Sequence, residues 1–145
     1  MDELQLVVRI VVAMLLGCVL GWQRQQRGKW AGLRTYALVS GGSALFTVLS
    51  LSAFSGGDPS RVASNIVTGI GFLGAGTILH KQDRVEGLTT AAGLWMVAAV
   101  GMTVGLQLYI LATIASLLSL VVFSINGRKI GLRINDGKNE DEENI

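Results

Sequence analysis

Five apolar stretches, each close to the length of one membrane crossing, dominate this sequence. They cover residues 4–22, 35–54, 62–79, 88–106 and 107–125. A helix needs about 20 apolar residues to cross the roughly 30 Å hydrocarbon core of a bilayer. Only 15% of the residues are charged and the mean hydropathy is +0.52, whereas a soluble domain carries about 25% charged residues. The sequence therefore predicts an all-α, polytopic integral membrane protein with about five transmembrane helices.

Two parts of the chain differ in composition. We predict a transmembrane domain over residues 1–125, and within it a tight turn at residues 105–107, because residues 88–125 are too long for one crossing. Residues 126–145 form a polar segment with a basic start and an acidic end. The basic start can lie near anionic lipid headgroups. The acidic end has too few apolar residues to build a core, and we predict a disordered cytoplasmic tail.

The basic residues fall almost entirely between alternate apolar stretches. Of the twelve lysines and arginines, only Arg9 and Arg61 lie elsewhere. Short loops rich in lysine and arginine stay on the cytoplasmic side of a membrane. The sequence therefore predicts an N-terminus outside and a C-terminus in the cytoplasm. The residues on which this depends are Arg24, Arg27, Lys29, Arg34, Lys81, Arg84, Arg128, Lys129, Arg133 and Lys138.

A short internal repeat links the first four stretches. Residues 31–37 (AGLRTYA) resemble residues 86–92 (EGLTTAA), and each segment follows a polar loop. Stretches one and two would then form one hairpin, and stretches three and four a second with the same topology. This predicts a parallel repeat about a pseudo-two-fold axis along the membrane normal, with a fifth helix added.

Glycines recur inside the apolar stretches at spacings that suit close helix packing. Small residues let helix backbones approach each other in a membrane. The pattern favours a compact bundle within one chain, with some contribution to a homodimer face. Residues 69–74 also match G-x-G-x-x-G, but the strand that a dinucleotide site requires does not precede them, so no cofactor is predicted. The glycines concerned are Gly17, Gly21, Gly69, Gly71, Gly74, Gly76, Gly101 and Gly105.

The segment from Asp58 to Arg61 (DPSR) reads as a helix start. Asp58 can cap free backbone N–H groups, and proline suits the first helical turn. The alternative is that Asp58 binds a cation or pairs with Arg9 or Arg61. A single carboxylate is a weak candidate for a metal ligand, since magnesium sites recruit further oxygen ligands. Capping is the favoured interpretation.

Asn65 and Thr68 are polar groups within the third apolar stretch. They must face protein or water, because an unpaired amide in hydrocarbon is costly. An interhelical hydrogen bond is the simpler interpretation. The alternative is a polar path for an ion, lined by these two side chains and Asp58. No pairing of a nucleophile with a base is visible, so we expect that the protein is not an enzyme.

The loop at residues 23–34 is basic and is flanked by Trp22 and Trp30. Interfacial tryptophan with arginine and lysine is ordinary membrane anchoring. The sharper interpretation is a docking surface, with Arg24 and Arg34, for an anionic lipid headgroup or an acidic partner. His80, the one histidine, lacks the neighbours that a metal site needs. Nothing in the sequence points to nucleic acid.

Three segments together resemble the MgtC/SapB family of bacterial inner-membrane proteins. They are AGLRTYALVSGGSALF, DPSRVASNIVTGIGFLGAGTIL and VEGLTTAAGLWMVAAVGMTVG. The resemblance implies a bacterial inner membrane location and a role in adaptation to low magnesium. It also implies regulation within the membrane, including effects on the proton-driven ATP synthase and on membrane potential.

Two features depart from the family pattern. Gln23-Arg24 stands where the family commonly has Glu-Arg, and only about twenty residues follow the apolar part, as in short SapB-like members without the C-terminal cytoplasmic domain. We therefore expect a non-enzymatic regulator or accessory factor in stress adaptation, with a membrane protein partner or a second copy of itself. The alternative is a small Mg²⁺ carrier or channel.

Overall fold

A computed structural model describes residues 2–52, 58, 60–82 and 84–125. Within them the chain forms five helices and one short hairpin between the third and fourth helices. The all-α membrane fold with five helices is confirmed. In chain order the elements are α1 (Glu3–Gln26), α2 (Leu33–Ser52), α3 (Ser60–Ala75), β1 (Leu79–Lys81), β2 (Arg84–Glu86), α4 (Leu88–Gly105) and α5 (Tyr109–Ser124).

The five helices differ in length. α1, α2 and α4 are long and apolar enough to cross a membrane. α3 and α5 have 16 residues each, so each extends about 24 Å at 1.5 Å per residue, less than the roughly 30 Å of hydrocarbon. α3 differs most from the sequence prediction, because the chain leaves the helix at Ala75 and enters a strand. The predicted tail, 126–145, lies outside the described residues.

Contacts between helices fix their relative directions. Gly21, near the end of α1, lies against Leu33 at the start of α2, so these helices are antiparallel. α2 and α4 are parallel, because Gly93 and Gly101 of α4 lie against Tyr36 and Ser40 in the same order. α1 packs on α2 and α3 on α4, so both predicted hairpins are present. The pseudo-two-fold relation between them stays a prediction.

One face of α1 is buried against the bundle, and its residues recur every three or four positions. It runs through Arg9, Ala13, Gly17, Leu20 and Arg24, which is the spacing of a single helix face. α4 lies at the centre and contacts the other four helices. The outward faces of α1 and α5 carry exposed apolar side chains, as lipid contact requires; they include Val7, Val11, Leu15, Val19, Ile110, Leu117, Leu118 and Val121.

Glycines of α1 and α4 allow their backbones to approach α2 closely. A Cβ atom at Gly101 would overlap the Ser40 carbonyl, and one at Gly105 would lie 2.8 Å from Thr47 Cβ. A Cβ at Gly17 would lie 2.6 Å from the Tyr36 carbonyl oxygen. These distances are shorter than van der Waals contact, so larger residues here would force the helices apart.

The glycine run in α3 is placed differently from the expectation of a packing surface within one chain. A Cβ at Gly69 or Gly71 would meet nothing within 4 Å, and only Gly74 lies against a neighbouring helix, at Ala91 of α4. Gly76 follows the helix and lies near the carbonyl groups of its own last turn. The reason is geometric: within the described residues α3 packs mainly against α4, and its other side stays open.

The hairpin β1–β2 occupies the polar loop between α3 and α4. The strands are antiparallel, with His80 opposite Val85. The Glu86 carboxylate accepts from Lys81 and from Arg84, each at 2.9 Å. Hydrogen bonding from Lys81 holds the pKa of Glu86 below its usual value of 4.5. Gly87 then starts α4 with a φ of 93°, a conformation that favours glycine.

Candidate functional site

Arg24 is the centre of a buried cluster that joins three helices. It lies in the last turn of α1, yet its side chain is only 3% exposed. Its Nη2 atom donates to Thr90 Oγ1 of α4 at 3.1 Å. The guanidinium carbon stands 4.6 Å from the centre of the Phe123 ring in α5, a distance at which a cation is attracted to an aromatic face. Arg24 therefore ties together α1, α4 and α5.

Tyr36 completes this cluster from α2. Its ring meets the Phe123 ring edge to face, with centroids 6.4 Å apart and an angle of 78° between the planes. Gly93 of α4 makes room for both rings, because a Cβ there would overlap the Tyr36 hydroxyl and lie 2.9 Å from Phe123 Cζ. The Tyr36 hydroxyl interacts with the Arg24 guanidinium, but among the described residues neither this hydroxyl nor Arg24 Nε makes a hydrogen bond of normal geometry. Buried polar groups of this kind usually bind water or a ligand.

A cavity of about 990 Å³ opens beside this cluster, and we call it the basic cavity. It lies where α1 and α5 end and α4 begins. Arg27, on its wall, donates to the carbonyl groups of Phe123 and Ser124 at the end of α5. The residues that line it are Arg24, Arg27, Gly28, Lys29, Trp30, Val85, Glu86, Gly87, Leu88, Thr89, Thr90, Val122, Phe123, Ser124 and Ile125.

Arg9 occupies the opposite end of the buried face of α1. It is 3% exposed, and its Nη1 atom donates to the carbonyl oxygen of Gly105 at 3.1 Å. The Gln107 side-chain amide is best oriented with its oxygen towards Arg9. In that orientation the oxygen accepts from Arg9 Nε at 3.2 Å. Arg9 therefore stabilises the turn between α4 and α5, where Gln107 has a φ of 65°.

Asp58 interacts locally, at the start of α3. Its carboxylate accepts from the Ser60 amide at 2.9 Å and from the Ser60 hydroxyl at 2.7 Å. These hydrogen bonds, the hydroxyl first, lower the pKa of Asp58 below its usual value of 3.8. This is the capping arrangement predicted from the sequence. Arg61 is exposed one residue later, and Pro59 lies outside the described residues.

Asn65 and Thr68 lie exposed on α3 and do not join Arg24 or Arg9. Thr68 Oγ1 donates to the Ser64 carbonyl of its own helix at 2.9 Å. Asn65 lines a groove of about 530 Å³ between α2 and α3, which we call the α3 groove. The other residues that line it are Leu38, Val39, Gly42, Ser43, Phe46, Val62, Ile66, Gly69, Ile70 and Leu73. Arg34 is exposed in the first turn of α2 and does not line the basic cavity.

Sequence reasoning missed Tyr36, Thr90 and Phe123. The Thr90 hydroxyl accepts a hydrogen bond from Arg24. The spacing along α1 could have indicated the site. Arg9 and Arg24 lie on the same face of the helix as Gly17, which is on the close-packed side. This spacing predicts that both arginines point inward, but it does not identify the residues that they contact. Among the described residues, no three histidine, cysteine, aspartate or glutamate side chains come together.

The family assignment follows from comparison with known sequences. A model of the MgtC family matches residues 10–129. This chain belongs to the MgtC family. The match includes α1 from Ile10 onward, the whole of α2 to α5, and every residue that lines the basic cavity. Together with the apolar helices, membership in the MgtC family establishes a membrane location.

Curated members of the MgtC family are more than 40% identical to this chain over the residues that align. "Putative magnesium transporter YhiD" of Escherichia coli (strain K12) is 42% identical over 129 residues, covering 83% of this chain and 60% of that protein. "Protein MgtC" of Salmonella typhimurium (strain LT2) is 44% identical over 129 residues, covering 89% and 55%. "Uncharacterized protein slr0014" of Synechocystis is 46% identical over 114 residues, covering 79% and 49%.

The chain thus spans at most about three fifths of the length of these MgtC-family relatives. No solved structure gives a significant match.

Proposed function

We propose that this chain is a non-enzymatic regulator or accessory protein of the membrane, in the magnesium-related setting that the name of one relative indicates. It acts by binding a helix of another membrane protein in the α3 groove. The observation that carries this proposal is the open side of α3. There a polar side chain, Asn65, and an open glycine, Gly69, lie along one groove.

The Asn65 carboxamide explains why a partner helix should bind in this groove. It is exposed on α3, five residues after the helix begins. An amide left without a partner in hydrocarbon costs several kcal/mol. A hydrogen bond to a partner helix removes that cost, and the open glycines let the partner backbone approach. The exposed Phe72, at 83%, adds apolar surface to the same helix.

The buried arginines also support a regulator over a cation carrier. Arg9 and Arg24 place positive charge near opposite ends of the same inward face of α1. A divalent cation that passed along the interior would be repelled at both ends. Both side chains instead join helices, through Gly105 at one end and Thr90 at the other.

A complementation assay tests the α3 groove. In a strain that lacks the gene, growth in low magnesium and membrane potential are measured with each variant. We expect Asn65→Leu to lose the effect, because it removes the hydrogen-bonding group while keeping the apolar groove. The matched control is Thr113→Leu, an exposed polar residue on α5 that bonds within its own helix. Full activity of Asn65→Leu, at equal expression, would contradict the proposal.

The competing function is a small Mg²⁺ carrier, which the name of the relative YhiD favours. Liposomes that contain the purified chain and a magnesium-sensitive dye distinguish the two functions. A regulator leaves the flux at the level of empty liposomes. Saturable flux that Asn65→Ala abolishes would make the protein a carrier with α3 as part of its path.

A further inference from the structure

The basic cavity has an excess of positive charge. Arg24, Arg27 and Lys29 line it, and Glu86 is the one carboxylate among its lining residues. The charge of Glu86 is already balanced, since Lys81 and Arg84 each pair with it at 2.9 Å. The cavity therefore offers cations that no described carboxylate neutralises, and it favours an anion.

Arg24 is the strongest sign that an anion belongs there. The side chain is 3% exposed, and its described partners are the neutral hydroxyls of Thr90 and Tyr36 and the Phe123 ring. Its Nε atom has no acceptor among the described residues. A buried charge without a counter-charge is costly, and a guanidinium readily makes paired hydrogen bonds to a phosphate. An anion at Arg24 would supply both the charge and the missing acceptor.

The start of α4 faces the same cavity. Gly87, Leu88, Thr89 and Thr90 line it, and the N-cap residue, Gly87, provides no side-chain hydrogen bond to the first turn. The first amides of a helix therefore lack side-chain acceptors, and the helix dipole adds partial positive charge at that point. α4 has 18 residues. Backbone amides and Arg24 thus converge on one volume.

The rim of the cavity indicates what kind of anion binds. Exposed apolar side chains of Leu88, Val122 and Ile125 stand beside the polar interior, and Trp30 is 73% exposed. A soluble phosphate would make no favourable contact with these apolar side chains, whereas the acyl chains of a lipid would pack against them. We propose that the basic cavity binds the phosphate of an anionic membrane lipid, with the headgroup at Arg24, Lys29 and the start of α4. Basic pockets between transmembrane helices are known to hold lipid headgroups in this manner.

This inference does not depend on the proposed function, because the basic cavity and the α3 groove share no lining residue. The test is thermal unfolding of the purified chain in a non-ionic detergent at fixed salt. The sample is titrated with phosphatidylglycerol, with phosphatidylcholine and with inorganic phosphate. We expect phosphatidylglycerol to raise Tm at concentrations where the other two have no effect.

Two variants locate the site. Lys29→Gln removes an exposed cavity cation and should require about fivefold more phosphatidylglycerol for the same rise in Tm, the loss expected for one lysine at an anionic surface. Lys29 is chosen because replacing the buried Arg24 could disturb folding. Arg34→Gln is the matched control: it removes one exposed cation outside the cavity and should leave the titration unchanged.

Three outcomes would overturn the proposal. Equal shifts with phosphatidylglycerol and phosphatidylcholine would mean that the anionic headgroup is not recognised. An equal shift with inorganic phosphate would assign the cavity to a soluble phosphate. Equal weakening by Lys29→Gln and Arg34→Gln would show general attraction to a basic surface and no built site.

Discussion

Arg9 and Arg24 show how one helix face can place two charges inside a membrane protein. They lie at opposite ends of the buried face of α1, separated by Ala13, Gly17 and Leu20. Each joins α1 to α4, Arg9 through the Gly105 carbonyl and Arg24 through Thr90. The contact between α1 and α4 is therefore formed by small and apolar residues in its middle and by a charged hydrogen bond at each end.

Replacing Arg9 by methionine should destabilise the fold by about 1.5–3 kcal/mol, the range for hydrogen bonds that involve a charged group. The variant keeps the apolar stem and loses the donors to Gly105 and Gln107. Thermal unfolding in detergent measures the change. Arg61→Met, which alters an exposed arginine, should stay within about 0.5 kcal/mol. An unchanged or raised Tm for Arg9→Met would mean that the free-energy cost of burying the charge equals or exceeds the stabilisation from its hydrogen bonds.

Replacing Gly101 by alanine should destabilise the fold by about 1–3 kcal/mol, because the new methyl group overlaps the Ser40 carbonyl. Gly71→Ala is the matched control, since the same methyl group meets nothing within 4 Å. It should be neutral or stabilising by up to about 1 kcal/mol, the gain from glycine to alanine in a helix. Both are measured by thermal unfolding; equal losses would show that Gly101 is not a close contact.

The glycines show where sequence reasoning reaches its limit. Their spacing predicts close packing in a membrane helix, and Gly17, Gly101 and Gly105 pack as expected. Gly69 and Gly71 carry the same signal but face open space. Spacing defines a face of a helix and does not define which neighbour covers it, so the partner of α3 could not be predicted.

At the scale of elements, α3 is the helix that the described chain covers least. Of its residues, only Ile70 and Gly74 are buried. Its start depends on a local interaction, the bonds from Ser60 to Asp58. Few packing contacts hold its first turn, so the Asp58 cap should control local opening there.

The Asp58 cap should depend on pH. The pKa of Asp58 is lower in the folded protein than its usual 3.8, so the ionised carboxylate is the form that the fold favours. The cap is fully present above the unfolded-state pKa and is lost as pH falls through the folded-state pKa.

Amide protection at residues 60–63, measured by hydrogen exchange and corrected for intrinsic rates, should therefore decrease below about pH 4. Asp58→Asn keeps a capping oxygen without a titrating group, and its protection should vary less with pH. The same pH dependence in both proteins would exclude Asp58 as its origin.

Sequence periodicity and length predicted the number and order of the helices and their bounds within four residues, with the largest differences at the ends of α1 and α3. The hairpin β1–β2 was not predicted. Its strands have three residues each, too few for an alternating pattern to show. Glu86 pairs with Lys81 across the hairpin and with Arg84 on its own strand, and these ion pairs depend on a turn that hydropathy does not describe. The basic cavity likewise depends on three helix ends meeting, which only the assembled bundle reveals.

At the scale of the molecule, the alternating helix directions gather the basic loops at one end. That end includes Arg24, Lys29, Arg34, Lys81 and Arg84. Such loops are retained in the cytoplasm, and we predict that the basic cavity opens there.

Cysteine labelling tests this orientation in spheroplasts, in a Cys18→Ser background. An impermeant maleimide should label Ser60→Cys at once, because the predicted orientation places the start of α3 outside. Gln82→Cys, in the hairpin, should react only after the membrane is permeabilised. Both positions are exposed, so access to the reagent decides the result. The reverse pattern would invert the orientation.

The unequal lengths of the helices have a consequence for the bilayer itself. α1, at 24 residues, extends about 36 Å at 1.5 Å per residue, whereas α3 and α5 extend about 24 Å. A helix longer than the hydrocarbon layer tilts, and a shorter one draws the lipid surfaces closer together. The bilayer around this protein should therefore be thinner beside α3 and α5 than beside α1. The protein should therefore collect in regions of the membrane whose thickness matches its helices. The local thickness would then also influence which other membrane proteins lie next to it.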